Sequence, residues 1–233
     1  GEDPHLAEVL AMGCWTPVER FGFDPALEWH AELVEADGSV FVVHHRGERI
    51  GEVRWSLLGR HNVLNGLAAL AAAHAVGVEL ATVMPALAAF RSVKRRLEVI
   101  GQARDVTIYD DFAHHPTAIR TTLEGLRARV GDARIVVAME PRSNSMRLGA
   151  HAQALAPSLD GADAVVFLHR PELAWDAAGV IAAVRGDAHA VPDTDALLAQ
   201  LGAITAPGDH VVFMSNGGFD GAPRRFLAQL QQP

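Results

Sequence analysis

A doubly wound α/β fold around a mainly parallel sheet is what this sequence predicts for its larger part, and three observations carry that expectation. From Leu97 onward, short apolar runs alternate with segments of helical periodicity, the pattern of repeated βα units. Runs such as Ile135-Val136-Val137-Ala138 are apolar without alternation, as in strands covered on both faces. Polar residues gather just after the runs, foremost in Tyr109-Asp110-Asp111-Phe112-Ala113-His114-His115-Pro116, where an open α/β sheet presents its ligand crevice. Together they imply a Rossmann-like sheet with right-handed crossovers, preceded by a smaller part of different character.

That smaller part opens with a short amphipathic helix over 4–12. Between Thr16 and Ser56 the pattern becomes strands and turns: 29–34 partly alternates, Ala36-Asp37-Gly38-Ser39 turns, and 40–45 is rich in β-branched and aromatic residues. Arg46-Gly47-Glu48-Arg49 turns again into a strand over 50–56, so a small antiparallel meander is expected. His44 and His45 occupy adjacent strand positions and point to opposite faces, which favours structural roles over a shared metal ion. Arg60-His61-Asn62-Val63-Leu64-Asn65 begins an alanine-rich helix that runs to about Ala75 and is ended by Gly77. A second helix over 80–90 carries Val83, Leu87 and Phe90 along one side. The apolar periodicity then lapses where Arg91, Lys94, Arg95 and Arg96 cluster, and the boundary between two domains, 1–92 and 93–233, is placed there.

In the larger part, strands are expected at 98–100, 106–109, 134–139, 164–168, 188–191 and 210–214. Helices are expected at 117–130, about 149–159, 175–184, 194–201 and 224–230. Pro116-Thr117 suits a helix start, since proline is tolerated in a first turn.

Composition narrows the function classes. A chain of 233 residues, 49 % hydrophobic, can bury a sizeable core. Its net charge of −8 argues against a nucleic-acid or membrane-surface partner, which would favour a basic face. The single cysteine, Cys14, excludes an intrachain disulfide, suits a reducing cytoplasm, and is expected as a small core residue. The longest apolar run, 66–78, is too short for a membrane span. The chain starts with acidic residues and Pro4 where a signal peptide would be basic and then apolar, and its first helix has no preceding strand to pack on, so a piece of a longer protein is expected. Neither a P-loop pattern nor a Gly-x-Ser-x-Gly nucleophile elbow occurs.

Several residue groups can carry chemistry. Asn62 and Asn65, three apart at a helix start, share one side of the first turn, and a carboxamide complements the amino-and-ring-nitrogen edge of adenine. The plainer alternative makes Asn62 a helix cap and Asn65 a surface residue. Arg96 stands just before the strand that opens the larger domain, where a guanidinium can pair with phosphates or stack on a base; a solvated linker is the alternative. Asp110, Asp111, His114 and His115 suggest either a metal-dependent hydrolase or a pairing of Asp111 with a ribose while an imidazole orients a substrate carboxylate or amine. Arg142 can hold a carboxylate in a bidentate pair, with Ser143 and Asn144 as neutral donors. Arg170 shares that strand-end edge, and Ser215-Asn216 precede Gly217-Gly218, which permit close backbone approach; ordinary loops are the alternative for all of these.

These pieces, in this order, resemble the carboxyl-terminal part of the Mur ligases, the ATP-dependent amide-forming enzymes of bacterial peptidoglycan synthesis. Gly59-Arg60-His61-Asn62-Val63-Leu64-Asn65 matches that family's helix start, Arg95-Arg96-Leu97-Glu98 its hinge, and Asp110-Asp111-Phe112-Ala113-His114-His115-Pro116 the first loop of its last domain. With Glu140-Pro141-Arg142-Ser143-Asn144-Ser145-Met146 and Met214-Ser215-Asn216-Gly217-Gly218-Phe219, the wording is most similar to the recycling member that joins L-alanyl-γ-D-glutamyl-meso-diaminopimelate to UDP-N-acetylmuramate. The alanine-adding member is the alternative within the family, and the Arg142-Ser143-Asn144 loop speaks against it. The resemblance implies ATP and magnesium as cofactors of the full-length enzyme, an acyl-phosphate route, and a cytoplasmic setting. By it, Asn62 and Asn65 hold the adenine, Arg96 contacts the nucleotide and Asp111 its ribose. His114, His115, Arg142, Ser143, Asn144, Arg170, Ser215 and Asn216 face the muramyl and peptide substrates. Residues 1–92 correspond to the end of the central ATP-binding domain. The UDP-binding domain and the glycine-rich ATP loop are absent from this stretch, so no catalytic residue is assigned and no turnover by the fragment alone is expected.

Overall fold

The computed structural model describes residues 3–141, 152–170 and 177–232. The chain divides into two compact units, Gly1–Ser92 and Val93–Pro233.

In the first unit, helix α1 (Pro4–Ala11) is capped by Asp3, whose carboxylate accepts from the amides of His5 and Leu6. Strands β1 (Phe21–Gly22), β2 (Trp29–Leu33), β3 (Val40–His45) and β4 (Glu48–Arg54) form a sheet in that order. The expected meander is β2–β3–β4, all antiparallel; the two-residue β1 adds a parallel edge. The third strand of the meander begins two residues earlier than expected. Arg46 and Gly47 both adopt positive φ, 50° and 84°, so two residues make the whole reversal and Glu48 already pairs with His45. One face of the sheet, with Trp29, Ala31, Phe41, Val43 and Val53, packs on Val63, Leu67 and Leu70 of α2 (Arg60–Ala75), with Val83 and Leu87 of α3 (Leu80–Ala88) against them. Phe90 is not on that stripe: the helix ends at Ala88 and the ring is 50 % exposed. His45 stacks on Trp29 at 3.9 Å on the core face while His44 stacks on His30 at 4.5 Å on the other, so the two histidines do face opposite ways. Cys14 is exposed rather than in the core, because it lies in the irregular stretch between α1 and β1, where its Sγ meets Thr16.

The second unit is a six-stranded sheet of β5 (Glu98–Ala103), β6 (Val106–Asp111), β7 (Ile135–Met139), β8 (Ala164–Leu168), β9 (Asp187–Val191) and β10 (His210–Met214), in the order β5-β6-β10-β7-β8-β9. All neighbours are parallel except β5 and β6, a hairpin turned by Arg104 and Asp105. Side chains of β6, β7, β8 and β10 alternate between two cores, which is why β7 and β8 read as unbroken apolar runs. On one face lie α4 (Pro116–Val130), α5 (Ala152–Ser158) and α6 (Ala177–Ala183), represented by Ile119, Leu123, Leu155 and Val180. On the other lie α7 (Thr194–Ile204) and α8 (Ala222–Gln231), through Leu197, Leu201 and Phe226. The last strand, β10, inserts between β6 and β7, so the direction of winding reverses there, the place along an open α/β sheet where ligands usually bind.

Candidate functional site

At the carboxyl end of β6, Asp110 and Asp111 point to opposite sides and do different work. Asp111 is 3 % exposed. Its Oδ2 accepts from the Leu97 amide at 2.6 Å, and its Oδ1 accepts from the Ala113 amide at 2.7 Å and from Thr122 Oγ1 at 3.4 Å. Burial pushes this carboxyl above the usual aspartate range, against the pull of those two amides and of Arg96. A carboxylate has about four acceptor sites, so three donors leave one for a hydroxyl. Asp110 is half-buried and faces Arg95, whose Nε donates to both its oxygens at 3.2 and 3.3 Å. Its carboxyl is also raised, by burial first, with Arg95 opposing. Arg95 further donates through Nη2 to the Ser215 carbonyl at 2.5 Å, tying the loop after β10 to the start of the unit. Arg95 and Leu97 both have positive φ, 60° and 49°, a conformation disfavoured for their side chains. The Leu97–Asp111 bond and the Phe112 amide donating to the Arg95 carbonyl at 2.8 Å brace that bend.

The histidines after β6 divide likewise. His114 Nδ1 lies 2.9 Å from the Phe112 carbonyl, which only accepts; Nδ1 therefore donates, leaving Nε2 as the acceptor of the neutral ring. Its ring stands edge-on to Phe112 at 5.5 Å. His115 is the N-cap of α4, accepting from the Thr117 amide at 3.4 Å, with Pro116 as the first helical residue. Arg96 is exposed, its guanidinium 5.8 Å from the Phe112 ring centroid.

Beyond β7 and β10 a second constellation forms. Ser215 Oγ donates to Glu140 Oε2 at 2.6 Å, and Arg170 Nη2 donates to Glu140 Oε1 at 3.2 Å and to Asp220 Oδ2 at 2.6 Å. Ser215, expected to face a substrate, is instead fully buried with its hydroxyl committed to Glu140. It sits one residue past β10, where its amide still follows the ladder and donates to the Asp111 carbonyl, and this turns the side chain inward. Asn216 is half-buried, and its Oδ1 is a buried acceptor without a partner. Arg142, Ser143 and Asn144 lie outside the described residues.

In the first unit, Asn62 does not cap α2. Gly59, at φ 90°, is the N-cap, and Asn62 Nδ2 donates back to the Leu58 carbonyl at 2.7 Å. Asn65, one turn on, is exposed. The metal-hydrolase alternative finds no support: Asp110 faces Arg95, Asp111 faces backbone amides, and His115 caps a helix. Among the described residues no three His, Cys, Asp or Glu side chains converge as metal ligands. Nor, among them, is any helix long and apolar enough to cross a membrane.

Sequence reasoning missed Arg95, Glu140 and Asp220 as organisers. Arg95 was visible as one of a basic cluster and as part of the hinge motif, without its partners, and the partners of Glu140 stand 30 and 75 residues away.

Comparison with known proteins gives the architecture its family. A ligase of Escherichia coli (strain K12), UDP-N-acetylmuramate–L-alanyl-γ-D-glutamyl-meso-2,6-diaminoheptandioate ligase, is 46 % identical over 229 residues, 98 % of this chain and 50 % of that protein. UDP-N-acetylmuramate–L-alanine ligase of Mycolicibacterium vanbaalenii is 37 % identical over 97 % of this chain and 50 % of its own length. The crystal structure of a murein peptide ligase from Psychrobacter arcticus superposes with a TM-score of 0.75 at 39 % identity, covering all of this chain and 50 % of that one. The chain thus spans about half the length of the curated relatives it matches. Residues 95–217, just over half of the chain and the stretch from the Arg95 bend to the loop after β10, match the model described as Mur ligase, glutamate ligase domain, and the chain belongs to the Mur ligase family.

Proposed function

We propose that this chain is the carboxyl-terminal portion of an ATP-dependent amide ligase of peptidoglycan recycling. The complete enzyme joins L-alanyl-γ-D-glutamyl-meso-diaminopimelate to UDP-N-acetylmuramate. The observation that carries this reading is the 46 % identity, across 98 % of the chain, with the Escherichia coli ligase named for those substrates. In this reading residues 1–92 are part of the central, ATP-binding domain and 93–233 the carboxyl-terminal domain.

ATP would transfer its γ-phosphoryl group to the muramyl carboxylate, releasing ADP, and the peptide amine would then displace inorganic phosphate and give up a proton as the amide bond forms. The residues of this chain bind and orient. Asn62 and Asn65 offer carboxamides to the adenine, Arg96 contacts the nucleotide, and the remaining acceptor site of Asp111 suits a ribose hydroxyl. The Nε2 lone pair of His114 suits a hydrogen bond from the incoming amine, with His115, Arg142, Ser143, Asn144, Arg170 and Asn216 lining the substrates. Such positioning and charge neutralisation are the main levers of acyl transfer between bound reactants. Magnesium, which accompanies ATP, finds no ligand group among the described residues and is assigned none.

The test is the full-length enzyme assayed with ATP, UDP-N-acetylmuramate, and either the tripeptide or free L-alanine. Preference for the tripeptide is expected. Use of alanine alone would move the chain to the alanine-adding ligase, the reading that the Mycolicibacterium relative favours.

A further inference from the structure

We infer that Glu140 is a positioning residue whose buried carboxylate sets three strand-end loops of the candidate site at once. The network stands on its own geometry; its effect on turnover rests on the ligase reading above.

Glu140 is the first residue past β7 and is 3 % exposed. Its amide donates to the Met214 carbonyl at 3.0 Å, so the backbone is pinned by the β7–β10 ladder before the side chain acts. Each carboxylate oxygen then reaches a different loop. Oε2 takes the Ser215 hydroxyl, and Ser215 Oγ in turn accepts from the Gly217 amide at 2.9 Å. That pair of bonds shapes the turn carrying Asn216, whose Oδ1 is the unpartnered buried acceptor. Oε1 takes Arg170, at the end of β8, and the same Arg170 nitrogen holds Asp220. Asp220 also accepts from Thr194 Oγ1 at 2.9 Å, which brings in the helix start after β9.

The far end of this chain of bonds is strained. Phe219 and Asp220 are consecutive non-glycine residues with φ of 49° and 47°, a conformation that surrounding contacts must hold. Arg170 and Thr194 supply them. Inside β7 every neighbouring position is apolar and fully buried, and stability alone would be served there by one more apolar side chain. A carboxylate at the strand end instead fixes directions: it dictates where a hydroxyl, a guanidinium and two turns point. Glu140 itself acts only through Ser215 and Arg170.

The experiment compares E140Q and E140D with the wild type in the full-length ligase, together with amide hydrogen exchange over residues 215–221. Glutamine keeps the size but cannot accept at both ends, so one charge-assisted bond is lost. The Michaelis constant for the peptide should rise about tenfold or more. That for ATP should stay within about twofold, since Asn62, Asn65 and Arg96 are outside the network and the Asp111 carboxylate is held by Leu97, Ala113 and Thr122 rather than by Glu140. Exchange at Gly217 through Gly221 should accelerate, and E140D, which retains the charge, should recover part of both losses. Equal rises in both Michaelis constants with a matching fall in Tm would mark a merely structural residue and overturn the proposal. So would unchanged peptide kinetics with unchanged exchange. If the wild type forms no amide bond, the ligase reading fails by itself, and the exchange comparison still decides whether Glu140 sets the loops.

Discussion

The carboxylate of Asp111 accepts the amide of Leu97 at 2.6 Å and thereby holds a residue whose φ of 49° has no glycine to excuse it. An acid that the sequence offers to a ligand is thus also the brace of the bend with which the second unit begins. Replacing it by alanine strands the amides of Leu97 and Ala113 without an acceptor. Asp111→Ala is expected to lose roughly 2–5 kcal/mol of stability, measured by urea unfolding, with Asp111→Asn losing less because one carbonyl oxygen remains.

The same group gives a pH signature. Its folded pKa is raised by burial, so its contribution to stability is fully present below the ordinary aspartate value of 3.8 and is lost as pH rises through the higher folded value. Wild-type unfolding free energy should therefore fall over that window, and the slope should flatten in Asp111→Asn. Asp110, shifted the same way, leaves a residual slope.

At the opposite end of the sheet, His210 Nδ1 sits 2.9 Å from the hydroxyl of Tyr109, and burial lowers the histidine's pKa below 6.5. A lowered histidine contributes stability that is complete above 6.5 and is lost as pH falls through the folded value. His210→Phe should remove that acid-side contribution, read as a smaller drop in Tm than the wild type shows as the pH falls below 6.5.

Gly186 has no room for a methyl group. A Cβ there would lie 2.7 Å from the Asp163 carbonyl oxygen and 3.0 Å from that of Ala162, both backbone atoms that cannot step aside. Gly186→Ala should cost about 1–3 kcal/mol in denaturant unfolding, while Gly208→Ala, with open space but φ of 91°, should cost less than that from backbone strain alone.

For the nucleotide reading, Asn62→Ala and Asn65→Ala in the full-length ligase should each raise the Michaelis constant for ATP by about tenfold and leave that for the peptide unchanged. Asn65, exposed on α2, should show this without loss of Tm; Asn62, which also binds the Leu58 carbonyl, should lose some.

The parallel strands were legible because Val, Ile and Phe in unbroken runs have few other uses, and β8 and β10 fall on the residues expected. What the sequence could not convey was direction. Arg104-Asp105 makes a two-residue hairpin without glycine, so nothing in the letters marks β5 as antiparallel to β6. Strand-end residues were recognisable as a group, since polar letters stop each apolar run. Their individual orientations were not: whether Ser215 looks out or in depends on the ladder to Asp111 and on Glu140, a partner 75 residues away. Cys14 was misplaced because small-residue type says nothing about a stretch that packs on no strand.

The insertion of β10 between β6 and β7 has a consequence for how the chain comes to be folded on the ribosome. Until residues 210–214 have been synthesised, β6 and β7 have no neighbour in common, and two rows of backbone donors and acceptors wait open in the middle of the sheet. The sheet is complete only when its last strand, β10, arrives, so ribosome-bound chains stalled before His210 should stay sensitive to protease and those stalled after α8 has emerged should not.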